Sequence, residues 1–244
     1  VFVDRCLLAD ERLQPVFTGR YFLAEKEKSR SFKVADGGVI VSSESETLYD
    51  ITVDGKKFLT SSVGFFQANT EVTGLIGRQV RDWCESANPK RFLDLYAGAG
   101  TFSVLSAQNV PDIFGFEENP QSLNCMPRNA ETAKVNLKET FEGRVEKTFP
   151  KFFRRMKTGG GFSPKDTFVF MDPPRQGLES SLAEFLARET VGQNLLYLAC
   201  DLAILVRDLK LILSNQKWTI QEVIPFDMFP RTKHIEVLVR LAAN

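Results

Sequence analysis

The sequence predicts an α/β fold in which helices cover an open, mainly parallel sheet. Three short apolar runs, at 92–95, 113–116 and 167–171, are typical of buried parallel strands, and each is followed by polar or turn-forming residues. With 244 residues and 43% hydrophobic content, the chain can bury a core and still carry a smaller attachment. We predict a small β-rich domain over residues 1–72 and an α/β domain over residues 73–244.

The amino-terminal region has the pattern of short strands rather than helices. Runs at 39–41, 47–53 and 58–60 are separated by turn residues, and Asp54-Gly55 lies between two of them. Such a dipeptide predicts a tight β-hairpin. Five cations in this region form either a solvated face or a phosphate-contacting patch; they are Arg20, Lys26, Lys28, Arg30 and Lys33.

The α/β domain is organised around residues 91–103, where a predicted strand runs into Gly98 and Gly100. The glycines permit a tight turn and a close approach of a ligand to the backbone. We expect Thr101 to cap the helix that follows. The loop lacks the third glycine of a dinucleotide fingerprint and the lysine of a P-loop. Its Asp-x-x-x-Gly-x-Gly pattern, which begins at Asp94, resembles a motif of S-adenosylmethionine-dependent methyltransferases; an ordinary strand-to-helix turn is the alternative.

Two more predicted strands end in chemically useful residues. Glu117 follows the second strand, where a carboxylate can accept bonds from a ribose diol or simply begin a helix. Asp172-Pro-Pro-Arg175 follows the third, and its prolines fix the backbone so that the carboxylate and the guanidinium can enter a cleft. Two aromatic residues, Phe65 and Phe66, stand beside two amides, Gln67 and Asn69, just before a predicted helix at 73–86. They can stack on a flat ring and bond its edge; alternatively, the phenylalanines pack in the core and the amides cap the helix.

The carboxyl-terminal region supplies candidate reactive groups. Cys200 ends a predicted strand at 195–199, where the start of a helix at 202–213 favours the thiolate, although packing is the commoner role. We expect His234 and Glu236 to share one face of a strand, where they can transfer protons; His234 alone is more typical of a structural hydrogen bond. The basic and aromatic residues in 149–157 indicate either an RNA contact or an amphipathic surface helix.

Composition limits the remaining possibilities. Basic and acidic residues both number 31, which is unlike a free-standing nucleic-acid binder. The cysteines form no paired motif, so the sequence predicts no metal site, no disulfide framework and a reducing cytoplasm; they are Cys6, Cys84, Cys125 and Cys200. No signal peptide or membrane span is visible, and we expect no membrane partner.

Four separated motifs together resemble the RNA uracil-5-methyltransferase family over residues 64–244. They are 65–69 (Phe-Phe-Gln-Ala-Asn), 94–102 (Asp-Leu-Tyr-Ala-Gly-Ala-Gly-Thr-Phe), 172–177 (Asp-Pro-Pro-Arg-Gln-Gly), and the pair 197–200 with 227–236. The resemblance implies a Rossmann-like methyltransferase domain, S-adenosylmethionine as cofactor, and methylation of carbon 5 of a uridine in a loop or bulge of tRNA or rRNA.

The same resemblance implies roles for nine residues. Cys200 would add to carbon 6 of the uracil, which makes carbon 5 nucleophilic, and Glu236 would then remove the proton from carbon 5. Phe65 and Arg175 would hold the flipped base or support the nucleophile. The residues that would line the cofactor site are Gln67, Tyr96, Thr101, Glu117 and Asp172.

The sequence departs from the family pattern in several places. Ala199-Cys200-Asp201-Leu202 stands where the family usually has Ser-Cys-Asn-Pro, and a carboxylate at Asp201 opposes thiolate formation unless it points away. Arg231 replaces the usual residue after Phe-Pro. We find no counterpart of the amino-terminal OB-like RNA-binding domain, and Cys6 matches only the last of four iron–sulfur ligands, so we expect no cluster.

Three alternatives remain at this point. Arg175 occupies the position of the cysteine nucleophile of cytosine-5 methyltransferases, and the aromatic residue that amino-methylating enzymes carry after Asp-Pro-Pro is absent. Both enzyme classes fit less well. A catalytically diverged RNA-binding or RNA-folding module accounts for Asp201, but it would not need both Cys200 and Glu236.

Overall fold

The computed structural model describes residues 11–13, 31–42 and 46–244, and in this part of the chain two β-hairpins precede the α/β sheet. Strands β1 (Ser31–Ala35) and β2 (Gly38–Ser42) form one hairpin, and β3 (Leu48–Val53) and β4 (Lys56–Ser61) form the other. Asp54 and Gly55 have φ angles of 49° and 72°, which confirms the predicted tight turn. Cys6 and the cations from Arg20 to Arg30 lie outside the described residues.

The rest of the chain alternates strands with helices, as the sequence predicts. The strands are β5 (Arg91–Leu95), β6 (Asp112–Glu117), β7 (Leu137–Glu142), β8 (Thr167–Met171), β9 (Asn194–Ala199), β10 (Trp218–Phe226) and β11 (Glu236–Ala243). The helices are α1 (Thr70–Ala87), α2 (Thr101–Ser106), α3 (Pro120–Leu123), α4 (Met126–Ala133), α5 (Val145–Thr158), α6 (Ser180–Arg188) and α7 (Leu202–Ile212). Short 3₁₀ turns span Glu11–Leu13, Pro164–Asp166 and Leu213–Asn215.

Strands β5 to β11 form one seven-stranded sheet in the order β10-β11-β9-β8-β5-β6-β7. The five strands β5 to β9 run parallel, whereas β10 and β11 run antiparallel at one side. From β5 the chain winds first toward β7 and then returns through β8 toward β9. The direction of winding therefore changes between β5 and β8, which is where open α/β sheets bind ligands at the carboxyl ends of their strands.

Helices pack on both faces of the sheet and bury two apolar clusters. One cluster contains buried residues of α5, α6 and α7, including Phe149 and Phe153. The other contains residues of α1, α2 and α4, and the hairpin residues Val53 and Phe58 belong to it as well. Helix α5 is thus an amphipathic surface helix whose phenylalanines point into the core, while Arg155 forms an ion pair with Glu139.

The β3–β4 hairpin is joined to the α/β sheet by hydrogen bonds as well as by apolar contacts. The buried Asn129 side chain accepts from the Leu59 amide at 2.7 Å and donates to the Leu59 carbonyl at 2.9 Å. Its amide nitrogen also donates to the carbonyl of Ala99 at 2.9 Å. One side chain on α4 therefore connects the hairpin to the glycine loop.

Several elements differ from the sequence-based predictions. The apolar and polar pattern of residues 123–133 predicts one helix, but the structure has two, α3 and α4, which are separated by Asn124-Cys125. His234 does not share a strand with Glu236: β11 begins at Glu236, and residues 227–235 form an irregular loop. The sheet also includes β7 and β10, which the apolar runs do not reveal because both are edge strands with mostly polar or exposed side chains. No helix of the described residues has the length and apolar character that a bilayer crossing requires.

Candidate active site

A cavity of about 670 Å³ lies at the carboxyl ends of β5, β6, β8 and β9. Eight of the nine predicted site residues line it: Phe65, Gln67, Tyr96, Glu117, Asp172, Arg175, Cys200 and Glu236. Thr101 is the exception, because it is buried at the start of α2 and is absent from the lining. The fold therefore brings together residues that are up to 171 positions apart in the chain, from Phe65 to Glu236.

The glycine loop is shaped by Asp94 below it and by α4 beside it. The buried Asp94 carboxylate accepts from the Ser103 amide at 3.1 Å and from the Ser103 hydroxyl at 2.6 Å. Gly98 and Gly100 have φ angles of 55° and 80°, and a Cβ on Gly100 would lie 2.7 Å from Met126 Cγ. The prediction that Thr101 caps the helix is wrong: the cap residue is Gly100, whose left-handed backbone makes the turn without a side-chain hydrogen bond.

Two further side chains fix the neighbouring strand ends. The Glu117 carboxylate accepts from the amides of Gly98 at 2.9 Å and Asn119 at 2.7 Å, one on each oxygen. Each oxygen keeps a second acceptor position for a ligand. Tyr96, with a φ of 64°, donates its hydroxyl to Glu146 at 2.7 Å, and burial raises the pKa of this phenol. Tyr96 is therefore held as a neutral donor at the cavity wall.

The loop before α1 reaches across the cavity to Asp172. Gln67 donates its side-chain amide to Asp172 Oδ2 at 2.7 Å, although the two residues are 105 positions apart. Burial raises the pKa of Asp172 well above its usual value, nearby Glu236 and Asp94 raise it further, and the Gln67 bond lowers it. Asn69 caps α1 and also donates to the Met228 carbonyl at 3.3 Å. The amides of this loop thus both cap the helix and contact the site.

The antiparallel pairing of β9 and β11 brings Cys200 and Glu236 together. Val237 pairs with Ala199, so the next position along each strand places Glu236 opposite Cys200. Burial raises the pKa of the Cys200 thiol, the Glu236 carboxylate raises it further, and the Arg175 guanidinium lowers it. This direction is opposite to our expectation that the start of α7 would favour the thiolate.

Burial and Glu236 account for that difference, and the amides at the start of α7 are already engaged by the residue that caps the helix. Asp201 accepts from the amides of Ala203 at 2.9 Å and Ile204 at 3.1 Å, so its carboxylate faces the helix terminus. The Asp201 carboxylate therefore occupies the helix amides that would otherwise stabilise a thiolate at Cys200. Asp201 is not among the groups that raise the pKa of Cys200, whereas Glu236 and Asp172 are.

Glu236 has the properties of a proton acceptor. It is 7% exposed, and burial raises its pKa to about 6, while Arg175 lowers it. Within the described part of the chain, no hydrogen bond engages its carboxylate. His234 also lines the cavity, but it is exposed on the loop that precedes β11. Its backbone amide donates to the Thr232 hydroxyl at 3.2 Å rather than to a neighbouring strand.

Two exposed side chains lie at the cavity mouth. Phe65 is 70% exposed, unlike its neighbour Phe66, whose ring packs against Phe58 with centroids 6.0 Å apart. Arg175 is exposed as well. An exposed aromatic ring beside a guanidinium can contact a flat, polar ligand.

Comparisons with known proteins identify the family of this chain. A family model described as tRNA (uracil-5-)-methyltransferase matches residues 38–244. An uncharacterised RNA methyltransferase from Clostridium acetobutylicum is 34% identical over 183 residues, which are 75% of this chain and 38% of that protein. One from Prochlorococcus marinus is 35% identical over 185 residues, or 75% of this chain and 41% of that protein. The chain thus spans less than half the length of these relatives.

Solved structures share the fold. A tRNA (uracil-54, C5)-methyltransferase from Pyrococcus abyssi, in complex with S-adenosyl-L-homocysteine, has a TM-score of 0.65 and 26% identity, and the match covers 88% of this chain and 49% of that one. A SAM-dependent methyltransferase from Agrobacterium tumefaciens has a TM-score of 0.58 and 16% identity over 88% of this chain and 77% of that one. The architecture is therefore the Rossmann-like methyltransferase fold, and the chain belongs to the tRNA (uracil-5-)-methyltransferase family.

Proposed function

We propose that this chain transfers a methyl group from S-adenosylmethionine to carbon 5 of a uridine in structured tRNA or rRNA, through a covalent bond between Cys200 and carbon 6. The observation that carries the proposal is the pairing of Cys200 with Glu236 across β9 and β11, at one end of the cavity that the glycine loop also lines. A nucleophile and a proton acceptor are thus adjacent to a cofactor-sized space.

The cavity suits S-adenosylmethionine in both size and chemistry. A volume of about 670 Å³ is within the range of small-molecule sites. The ribose hydroxyls and the ammonium of this cofactor are donors, and the wall offers Glu117 and Asp172 as acceptors. Gln67 and Tyr96 complete this part of the wall, and Thr101 would act through the glycine loop rather than by lining the space. The cofactor supplies an electrophilic methyl group.

The residues of this chain account for the other steps. The Cys200 thiolate adds to carbon 6, so the sulfur–carbon bond forms while the ring electrons make carbon 5 nucleophilic. Once carbon 5 carries the methyl group, the Glu236 carboxylate takes the proton from carbon 5. The electron pair of that bond restores the ring double bond, the sulfur–carbon bond breaks, and Cys200 is released.

The protonation state of Glu236 fits its role at neutral pH, whereas that of Cys200 requires support. With a pKa of about 6, Glu236 is mainly a carboxylate above that pH and can accept a proton. The raised pKa of Cys200 makes the thiolate scarce, and Arg175 opposes this effect. We therefore propose that Arg175 supports the nucleophile, which is the function of a cation beside a thiol.

The RNA substrate has to present its base outside the stack. A uracil stacked inside a helix cannot reach a thiol in the wall of a cavity, so a loop or bulge is the expected context. The exposed Phe65 ring is available to stack on the flipped base. Because the chain carries no net charge, we propose that the remaining phosphate contacts come from local clusters of cations, or from additional segments of the kind that make its relatives longer.

The competing hypothesis is an RNA-binding module that has lost turnover. Asp201, Leu202 and the lack of a counterpart of the RNA-binding domain favour it, but the Asp201 carboxylate faces the helix amides. The availability of both Cys200 and Glu236 in one cavity favours the enzyme.

The test uses 5-fluorouridine, since fluorine cannot be removed as a proton and the covalent adduct is trapped. We would mix the chain with S-adenosylmethionine and a tRNA or rRNA hairpin transcribed with 5-fluorouridine, and record the intact mass. We expect one methylated protein–RNA adduct that Cys200→Ala abolishes and that the control Cys125→Ser keeps. Cofactor binding without any adduct, on either RNA, would overturn the proposal in favour of the binding module.

A further inference from the structure

A buried polar cluster lies beneath the loop that carries Arg175. Its centre is Asp208 on α7, which is 0% exposed. One carboxylate oxygen of Asp208 accepts from the Leu178 amide at 2.8 Å and from the Tyr197 hydroxyl at 2.7 Å. Tyr197 is on β9, three positions before Cys200. The Asp208 carboxylate therefore connects the Arg175 loop to the strand that ends at the nucleophile.

Arg207 holds the same loop from the next position of the helix. Its Nε and Nη2 atoms contact the other carboxylate oxygen of Asp208 at 2.8 and 2.7 Å. Nη2 also donates to the carbonyls of Gln176 at 2.8 Å and Leu178 at 3.1 Å. The planar guanidinium thus fixes the backbone directly after Arg175 and completes the bonds of the buried carboxylate.

Gly177 shows how closely this loop lies on α7. Its φ angle is 74°, and a Cβ at this position would be 2.4 Å from Asp208 Oδ2 and 2.4 Å from Ile204 Cγ2. A side chain would therefore lift the loop off the helix. The absence of a side chain lets the backbone lie directly on the Asp208 carboxylate.

The position of the Arg175 guanidinium depends on this backbone. Within the described residues, Arg175 makes no hydrogen bond and no ion pair of its own, although its charge acts on both Cys200 and Glu236. We propose that Arg207 and Asp208 are positioning residues that hold the 175–178 loop against α7 and so keep Arg175 beside the Cys200 thiol. This inference rests on the proposed function of Cys200, and it assigns to Arg207 and Asp208 a role in tuning the nucleophile.

The test measures the thiol directly and needs neither RNA nor cofactor. The rate of alkylation of Cys200 by iodoacetamide, followed by mass spectrometry of its peptide from pH 6 to 10, reports the thiolate fraction. The charged groups that act on this thiol are Glu236 from β11, and Asp172 and Arg175 from the loop after β8. Removal of Arg175 in Arg175→Gln should therefore slow alkylation, by about threefold at pH 7.5.

Arg207→Lys separates positioning from simple charge. Lysine keeps the positive charge at this half-exposed position but cannot make the forked contacts to two carbonyls and a carboxylate. We expect it to slow alkylation nearly as much as Arg175→Gln, and the double variant to be no slower than Arg175→Gln alone. Arg188→Lys is the matched control, because Arg188 is exposed on α6 and its ion pair among the described residues is with Glu184 on its own helix.

The outcomes are distinct from those that test the proposed function. Wild-type alkylation rates in Arg207→Lys, or effects of the two variants that simply add, would overturn the positioning role. If the coupling is observed but no 5-fluorouridine adduct forms, Arg207 still positions Arg175, and the proposed methylation fails instead. Asp208→Asn gives a second measurement, since asparagine keeps the acceptor for Leu178 and Tyr197 while it loses the ion pair with Arg207, and we expect the same slowing.

Discussion

The two ends of the cavity are built in different ways. At the glycine-loop end, the polar side chains bind to other parts of the protein: Glu117 to two amides, Tyr96 to Glu146, and Gln67 to Asp172. At the other end, the Glu236 carboxylate and the Arg175 guanidinium have no hydrogen bond within the described residues. They act on each other and on Cys200 only through their charges.

This difference matches the work that each end has to do. Side chains that hold a ligand benefit from being fixed in advance, because less conformational entropy is lost when the ligand binds. Groups that exchange protons or form bonds must keep an available lone pair, so a strong internal partner would compete with the reaction. The fixed end therefore suits a cofactor, and the free end suits chemistry. Substitutions at the two ends should have different signatures.

The largest effect is expected at the free end, from Glu236→Gln. Glutamine keeps the shape but cannot accept the carbon 5 proton, so methylation should fall by about 10²- to 10⁴-fold. Because the Glu236 carboxylate raises the pKa of Cys200, the same substitution should speed alkylation of the thiol. Methyl transfer from radiolabelled cofactor and iodoacetamide kinetics measure the two effects.

These opposite signs identify the role of Glu236. Glu222→Gln is a suitable control, because Glu222 lies on β10 and contacts Arg240 rather than the cavity. A parallel loss of both methylation and alkylation in Glu236→Gln would indicate damage to the site, and would contradict its assignment as the base.

Asp94→Asn tests the fixed end through stability. Burial raises the pKa of Asp94 from 3.8 to about 7, so the folded state binds more protons than the unfolded state between these values. Stability contributed by the protonated form is therefore present at acidic pH and is lost as the pH rises through about 7. Asparagine still accepts from Ser103 and does not ionise. As the pH rises from 4 to 8, the unfolding free energy of the variant should therefore increase by about 3 to 4 kcal/mol relative to that of wild type.

Urea unfolding across this pH range measures that gain. Asp82→Asn on the exposed face of α1 is the control, and it should leave the pH dependence unchanged. A wild-type pH profile in Asp94→Asn would show that Asp94 ionises normally beneath the loop.

Gln67→Ala should weaken cofactor binding. It removes the bond that holds the Asp172 carboxylate and lowers its pKa, so Asp172 should retain its proton more readily. We expect affinity for S-adenosylhomocysteine to fall by about tenfold, the equivalent of about 1.4 kcal/mol. Calorimetric titration measures this change, with the exposed Gln221→Ala as control. Unchanged affinity would place Gln67 outside the cofactor site.

Much of this arrangement follows from local sequence patterns. Apolar runs located β5, β6, β8 and β9, and the residues at their ends proved to line one cavity, because the carboxyl ends of parallel strands share an edge. The edge strands β7 and β10 were missed since their exposed side chains have no apolar pattern. His234 was misplaced because a period of two was extended beyond the start of β11.

Other features depend on contacts that a local pattern does not carry. Asp208 is an acidic residue in a helix and resembles a solvated charge, and only its contacts with Leu178, Tyr197 and Arg207 show that it is buried. The raised pKa of Cys200 likewise depends on Glu236 from another strand. The division into domains at residue 72 stays a prediction, and Val53 and Phe58 before it share an apolar cluster with the sheet.

The smallest effect is expected at Asp201. Two substitutions there separate the capping of α7 from any effect of the Asp201 charge on Cys200. Asp201→Ala removes the acceptor for the Ala203 and Ile204 amides, which should cost about 1 kcal/mol of unfolding free energy. Asp201→Asn keeps the cap, so the unfolding equilibrium constant should change by less than about twofold. The rate of Cys200 alkylation should also change by less than about twofold, because the Asp201 carboxylate is not among the groups that act on the thiol. Faster alkylation in Asp201→Asn alone would mean that this carboxylate does suppress the thiolate, as a fourth charged group acting on Cys200 besides Glu236, Asp172 and Arg175.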